Sequence, residues 1–220
     1  MGVDFVEIDV RLSKDRIPFI LHDTSVNRTT NGSGQINDLT SDQIECLDAG
    51  SWFHSNFAGA KVPRLETYFH WIKGKIKVFL DMKDPLLRGR ELKKIVDLVY
   101  ETGLEKECFF SFQDTTRPSS RAKELSEIAP ELLLKINADS LYEVHQAKEK
   151  FNADIVETSI NMFTDEYKAL CRELKLKTMI WEKIWSVDLF KRTLRSGVDM
   201  INLDDPHLFL QIKKELGESR

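Results

Sequence analysis

Five absences narrow this chain. No apolar run approaches the roughly 20 residues that span a bilayer. Cysteine is scarce: Cys46, Cys108 and Cys171 are odd in number and scattered, with no C-x-x-C spacing. That excludes a disulfide scaffold and a thiolate zinc cluster, and it fits free thiols in a reducing, cytoplasmic setting. Basic excess is missing too, with a net charge of −4 and a pI near 5.8. Phosphate-backbone binding needs a basic face, so nucleic acid is not expected as a partner. No G-x-G-x-x-G turn follows any apolar run, which removes the fingerprint of a dinucleotide fold. Met1 is followed directly by Gly-Val-Asp, with no signal-peptide pattern.

What is present is an ordinary globular composition, 41% hydrophobic and 31% charged over 220 residues. That length suits a single domain, 1–220, burying roughly 70–75% of its unfolded surface. The stretch Phe5 to Asp23 reads as strand, polar turn, strand. Strand side chains alternate between faces, so Phe5, Glu7 and Asp9 share one side and Val6, Ile8 and Val10 the other. A second apolar run, Pro18 to Leu21, carries His22 and Asp23 toward the same rim. Two acids and a histidine after apolar runs suit a divalent cation beside an acid/base group. An amphipathic surface strand with a capping histidine fits the same pattern.

Residues 24–75 carry little strand signal and at most two short helices, one of them starting at Thr40 or Ser41. Such a long excursion is expected to be a lid or inserted cap. Its Trp52, Phe53, Phe57 and Trp71 are expected to pack inward. Regular strand–helix alternation follows, from Lys77–Met82 to Met200–Leu203, with Asp205 and Pro206 opening a last helix. Such alternation means a parallel sheet, either open and doubly wound or closed as a (β/α)8 barrel. The chain's ends favour the barrel. Gly2-Val3-Asp4-Phe5-Val6-Glu7-Ile8-Asp9 echoes Gly197-Val198-Asp199-Met200-Ile201-Asn202-Leu203-Asp204 position by position. The fold expected is a TIM-type (β/α)8 barrel with about seven of its eight strands and a small cap after the second strand.

Lys77–Met82 repeats the acidic device. Phe79, Asp81 and Lys83 share a face. If this strand neighbours Phe5–Asp9, Asp81 meets Glu7 and Asp9 at the carboxyl ends of strands, where such barrels carry their chemistry. Carboxylates without a histidine or thiolate cluster favour a hard cation, Mg2+ or Ca2+. A buried salt bridge between Asp81 and Lys83 is the competing structural reading.

At these residues the sequence resembles the glycerophosphodiester phosphodiesterase family. The matching motifs are Glu7-x-Asp9-Val10, His22-Asp23, Asn27-Arg28-Thr29-Thr30 with Gly32, Leu47 to Phe53, and Val62-Pro63-Arg64-Leu65-Glu66. Asp81-x-Lys83, Phe110-Ser111-Phe112, Trp181 and Asp204-x-Pro206 complete them. The resemblance implies a barrel lacking its first β/α unit, and Glu7, Asp9 and Asp81 as metal ligands. It also implies His22 as an acid/base catalyst, with Lys83 and Trp181 at the substrate. The reaction implied is hydrolysis of a small glycerophosphodiester to glycerol 3-phosphate and an alcohol.

Three departures stand out. The third acid, often Glu, is Asp81. The family's Trp-Thr becomes Trp181-Glu182. No His-Arg pair, the family's opening signature, occurs anywhere. His54, His70, His145 and His207 are expected at the surface or in packing roles. A barrel without its first strand would leave a seam between Phe5–Asp9 and Met200–Leu203, expected to promote self-association and to impair turnover. The alternative is a non-catalytic barrel that binds phosphodiesters or metal. A secreted, disulfide-bonded lyase of the sphingomyelinase D type does not fit the cysteines.

Overall fold

The computed structural model describes residues 2–112, 120–215 and 217. It divides into two compact units, Phe5–Leu132 and Met1–Asp4 with Leu133–Arg220.

The first unit opens with β1 (Phe5–Leu12) and β2 (Pro18–Ile20), an antiparallel hairpin with Val10 opposite Ile20. Its turn places Arg16 at φ 65°. Next come α1 (Ser41–Cys46), α2 (Leu65–Ile72), β3 (Lys77–Met82), α3 (Arg90–Thr102), β4 (Cys108–Phe112) and α4 (Ser120–Ile128). β1, β3 and β4 pair in parallel, with Asp9 opposite Asp81 and Asp81 opposite Ser111. In β3, Val78, Leu80 and Met82 are fully enclosed, and Phe79 on the other face is buried as well, leaving Lys77 exposed and Asp81 partly so. α3 buries Leu92, Ile95, Val96 and Val99 at helical spacing and stops at Gly103, which sits at φ 68°.

The excursion between β2 and β3 has a core of its own. Phe19, Leu21, Val26, Ile36, Ile44 and Val62 cluster there. Thr40 caps α1 in a reciprocal box with Gln43. Asp15, in the hairpin turn, ties the excursion to β1. Its carboxylate accepts from Ser41 N–H at 2.8 Å, Ser41 Oγ at 2.7 Å and Ser13 Oγ at 2.8 Å. The Ser41 bonds pull the Asp15 carboxyl down to about 2. A depressed carboxyl stabilises the fold above its unfolded value, and that contribution fades as pH falls through the folded one. Urea melts should therefore show stability falling between about pH 4 and pH 2. In Ser41→Ala that fall should be shallower, and neutral-pH stability should be lower by about 1 kcal/mol. An unchanged acid limb would show that Asp15 does not depend on Ser41.

The second unit alternates strand and helix throughout. β5 (Leu133–Asn137), β6 (Ile155–Thr158), β7 (Lys177–Trp181) and β8 (Met200–Asn202) form a parallel ladder. α5 (Leu141–Phe151), α6 (Asp165–Glu173), α7 (Val187–Arg195) and α8 (Pro206–Glu215) separate and follow them. Val144, Ala147, Val156, Tyr167, Cys171 and Ile180 share its core. Asp205 accepts from Leu208 N–H at 3.1 Å, the cap read from the sequence. The echoing glycines, Gly2 and Gly197, stand at φ 87° and 80°.

One expectation fails. Trp52, Phe53, Phe57 and Trp71 do not pack inward; each is more than half exposed. The segment is ordered by polar bonds instead. The Asp48 carboxylate accepts from the N–H groups of Gly50, Ser51 and Gly59 and from Ser51 Oγ.

Candidate metal centre and active site

Parallel pairing of β1 and β3 does the main positioning. Asp9 faces Asp81 across the ladder, and Glu7 lies two residues back on the same side. One carboxylate oxygen from each of Glu7, Asp9 and Asp81 lies within 4.8 Å of the others. Oxygens around one hard cation, bound at about 2.0–2.6 Å, cannot stand much further apart than this. Asp81 Oδ1 is buried and has no hydrogen-bond partner among the described residues, and Asp9 Oδ1 has only the Lys83 ammonium, at 3.2 Å. An orphaned anionic oxygen in a converging set of hard donors fits a divalent cation.

Lys83 closes the other side. Its Nζ stands 2.8 Å from Asp81 Oδ2 and 3.2 Å from Asp9 Oδ1. Burial pulls this ammonium down, but the two aspartates together outweigh it and hold it above the usual lysine range. The salt bridge read as the competing explanation is therefore present, and it leaves Asp81 Oδ1 unclaimed. Burial, then the charges of Asp9 and Asp81, push the Glu7 carboxyl up to about 8, with Lys83 acting the opposite way. Glu7 as a whole residue is exposed, so the crowding of like charges is the firmer cause.

His22 arrives by the hairpin. Leu21 N–H donates to the Asp9 carbonyl at 3.0 Å, which sets His22 immediately beyond the acidic strand. Its ring is turned to Asp23, with Nδ1 2.8 Å from Oδ1, and is 63% exposed. Arg28 grips the same carboxylate through Nε and a terminal nitrogen at 2.7 and 2.9 Å. The Arg28 and His22 bonds hold the Asp23 carboxyl well below the usual range. With Nδ1 donating, Nε2 carries the lone pair of a base. Trp181 lies in the second unit, at the end of β7, and is half exposed. The structure thus gathers Glu7, Asp9, Asp81 and Lys83, and pairs His22 with Asp23. His54, His70, His145 and His207 are all exposed, as expected.

Sequence reasoning missed three residues. Arg11 continues the face of Glu7 and Asp9 by the same period of two, so the signal was there. Its Nε donates to the His22 carbonyl at 2.8 Å. Burial pulls its guanidinium down against the opposing fields of Asp84, Asp9, Asp23 and Asp81. Asp84 is fully buried and accepts from Leu12 N–H at 3.1 Å and Leu86 N–H at 2.9 Å. Arg121, also buried, donates one N–H to the Met82 carbonyl at 3.0 Å and to that of Asp84 at 2.5 Å. Nothing in local sequence announces these last two.

A parallel α/β framework with a carboxylate-lined strand end defines the class, an α/β protein of the TIM-barrel type. The chain belongs to the glycerophosphoryl diester phosphodiesterase family, whose model matches residues 1–207. It is 27% identical to a glycerophosphodiester phosphodiesterase of Caldanaerobacter subterraneus subsp. tengcongensis, over 99% of this chain and 88% of that protein. It is 36% identical to one from Bacillus subtilis over 44% of this chain, a match spanning 36% of that relative's length. Among solved structures, the glycerophosphodiester phosphodiesterase of Agrobacterium tumefaciens superposes with a TM-score of 0.84 at 29% identity. That match covers 96% of this chain and 87% of the other. An Oleispira antarctica phosphodiesterase in complex with the product sn-glycerol-3-phosphate shares the fold, with a TM-score of 0.82 at 21% identity over 97% and 86% of the chains.

Proposed function

We propose that this protein hydrolyses small glycerophosphodiesters to glycerol 3-phosphate and an alcohol, with a divalent cation held by Glu7, Asp9 and Asp81. The observation that carries the reading is the three-carboxylate cluster beside Lys83. When bound, a hard cation there supplies charge neutralisation at the phosphodiester oxygens. Mg2+ or Ca2+ suits the all-oxygen donor set.

The chain's own residues do the rest. Lys83 and Arg11 bring positive charge to the anionic substrate. His22 moves the proton at Nε2 between attacking or leaving oxygen and solvent, while Asp23, clamped by Arg28, fixes its tautomer. By the family resemblance, Trp181 contacts the alcohol side of the substrate. The same resemblance calls for two histidines, and only His22 matches one of them here.

The test is glycerol 3-phosphate release from glycerophosphocholine with Mg2+ or Ca2+, then with EDTA. Release that stops with EDTA and returns with one cation supports the reading. No release in either metal, together with tight cation binding by calorimetry, favours a non-catalytic phosphodiester- or metal-binding role. His22→Ala should lower kcat about 10²–10⁴-fold. The cation affinity of that variant should be unchanged; equal kcat would remove His22 from proton transfer.

A further inference from the structure

The second unit carries a polar cluster that the chemistry above does not use. Side chains two apart on a strand share a face, and the register carries that face across the ladder. Ile155, Met179 and Met200 therefore lie on the same side as Lys135, Asn137, Glu157, Trp181 and Asn202. The face begins apolar and turns polar toward the carboxyl ends of its strands, the end where barrels of this type bind ligands. Lys135 and Glu157 are only 4% and 8% exposed. The Lys135 ammonium stands 2.6 Å from Glu157 Oε2 and donates to Asn137 Oδ1, also at 2.6 Å. Asn202 reaches past β7 to donate from Nδ2 to Glu157 Oε1 at 3.4 Å. The side chains of β5, β6 and β8 thus converge. A buried ion pair is a poor stabiliser, since apolar residues of similar volume often hold a fold as well or better. Its place near the ligand-binding end of the strands calls for another reason.

The bonding leaves a definite set of groups for a ligand. Lys135 takes the oxygen of Asn137, so that exposed amide presents its N–H groups. Asn202 gives an N–H to Glu157, so its oxygen is an acceptor. Trp181, opposite Asn202 in the ladder, is 45% exposed and presents an indole face. A donor, an acceptor and an aromatic face suit a hydroxylated carbon chain. Its hydroxyls both donate and accept, and its C–H groups pack on the ring. A quaternary ammonium is best met by an aromatic ring together with an unpaired carboxylate. Here the Glu157 carboxylate is held by the Lys135 ammonium, so the pair carries no net charge. Glu182 does not replace it, because it follows Trp181 on the opposite face and accepts the Ile160 N–H at 2.7 Å.

We infer, on the proposed reading that places Trp181 at the alcohol side of the substrate, that Asn137, Trp181 and Asn202, braced by the Lys135–Glu157 pair, select a neutral polyol over a quaternary ammonium alcohol. With Mg2+, kcat/KM for glycerol 3-phosphate release should be about tenfold or more higher for glycerophosphoinositol than for glycerophosphocholine. Asn202→Ala should cut the glycerophosphoinositol value about tenfold, chiefly through KM, and bring the two diesters to within about threefold of each other. Asn137→Ala, at an exposed position, should act in the same direction and serves if the first variant does not fold. Binding is read apart from turnover in His22→Ala with Mg2+. The indole N–H resonance of Trp181, assigned by its loss in Trp181→Phe, should shift with glycerophosphoinositol and shift less with glycerophosphocholine. That pattern without product release from either diester in the wild type would keep the inference and overturn the catalytic reading. An equal or higher kcat/KM for glycerophosphocholine, a preference that survives both variants, or a Trp181 resonance that neither diester moves overturns the inference.

Discussion

Replacing Asp81 with asparagine is expected to weaken divalent-cation binding by more than about 100-fold, because even partners outside a ligand set cost 10–100-fold when lost. The amide would keep the shape and one carbonyl oxygen while removing the charge that faces Asp9 across the ladder. It would also release Lys83, whose ammonium now sits 2.8 Å from Asp81 Oδ2. Glycerol 3-phosphate release should fall by at least the same factor. Asp81→Glu gives the matched comparison, since the family resemblance often has the longer acid at this place. It should retain cation binding within about tenfold. Calorimetric titration with Mg2+ and Ca2+ reads both variants. Wild-type affinity in the asparagine variant would remove residue 81 from the metal centre and, with it, the proposed chemistry.

Asp84→Ala is expected to be the most destabilising single change near the site, by about 2–5 kcal/mol in urea unfolding. Asp84 is buried completely and its two oxygens satisfy the N–H groups of Leu12 and Leu86. Alanine would orphan both donors in a place water does not reach. The same residue's N–H donates to the Val10 carbonyl at 3.3 Å, and its carbonyl accepts from buried Arg121. The change thus loosens the join between the ends of β1 and β3, and cation affinity should fall alongside stability. Asp84→Asn keeps one acceptor oxygen and should lose about half as much. Alanine costing under about 0.5 kcal/mol, the range of an ordinary surface change, would show that this join does not depend on the carboxylate.

The acid cluster was legible because its grammar is local. Glu7, Asp9 and Asp81 follow from a period of two and from apolar neighbours, and only the adjacency of β1 and β3 had to be supplied by the fold. Helix starts were legible for the same reason: Thr40 and Asp205 act on backbone groups within a turn of themselves. Asp84 and Arg121 were not, since a buried charge is recognisable only once its distant main-chain partners are known. β1 runs to Leu12 rather than Asp9 because the returning β2 extends its ladder. The aromatic loop misled for a physical reason. Apolar composition argues for burial on average, but Asp48 orders this segment from within and so frees its rings from any need to pack.

The carboxylate knot at Asp84 has a kinetic corollary. Because one buried side chain fastens Leu12 and Leu86 while its own amide is tied to Val10, those three amides should open together and exchange deuterium among the slowest in their unit. Saturating that neighbourhood with Mg2+ should slow their exchange further, so a metal-sensitive isotope signature would appear several residues downstream of any carboxylate that touches the ion.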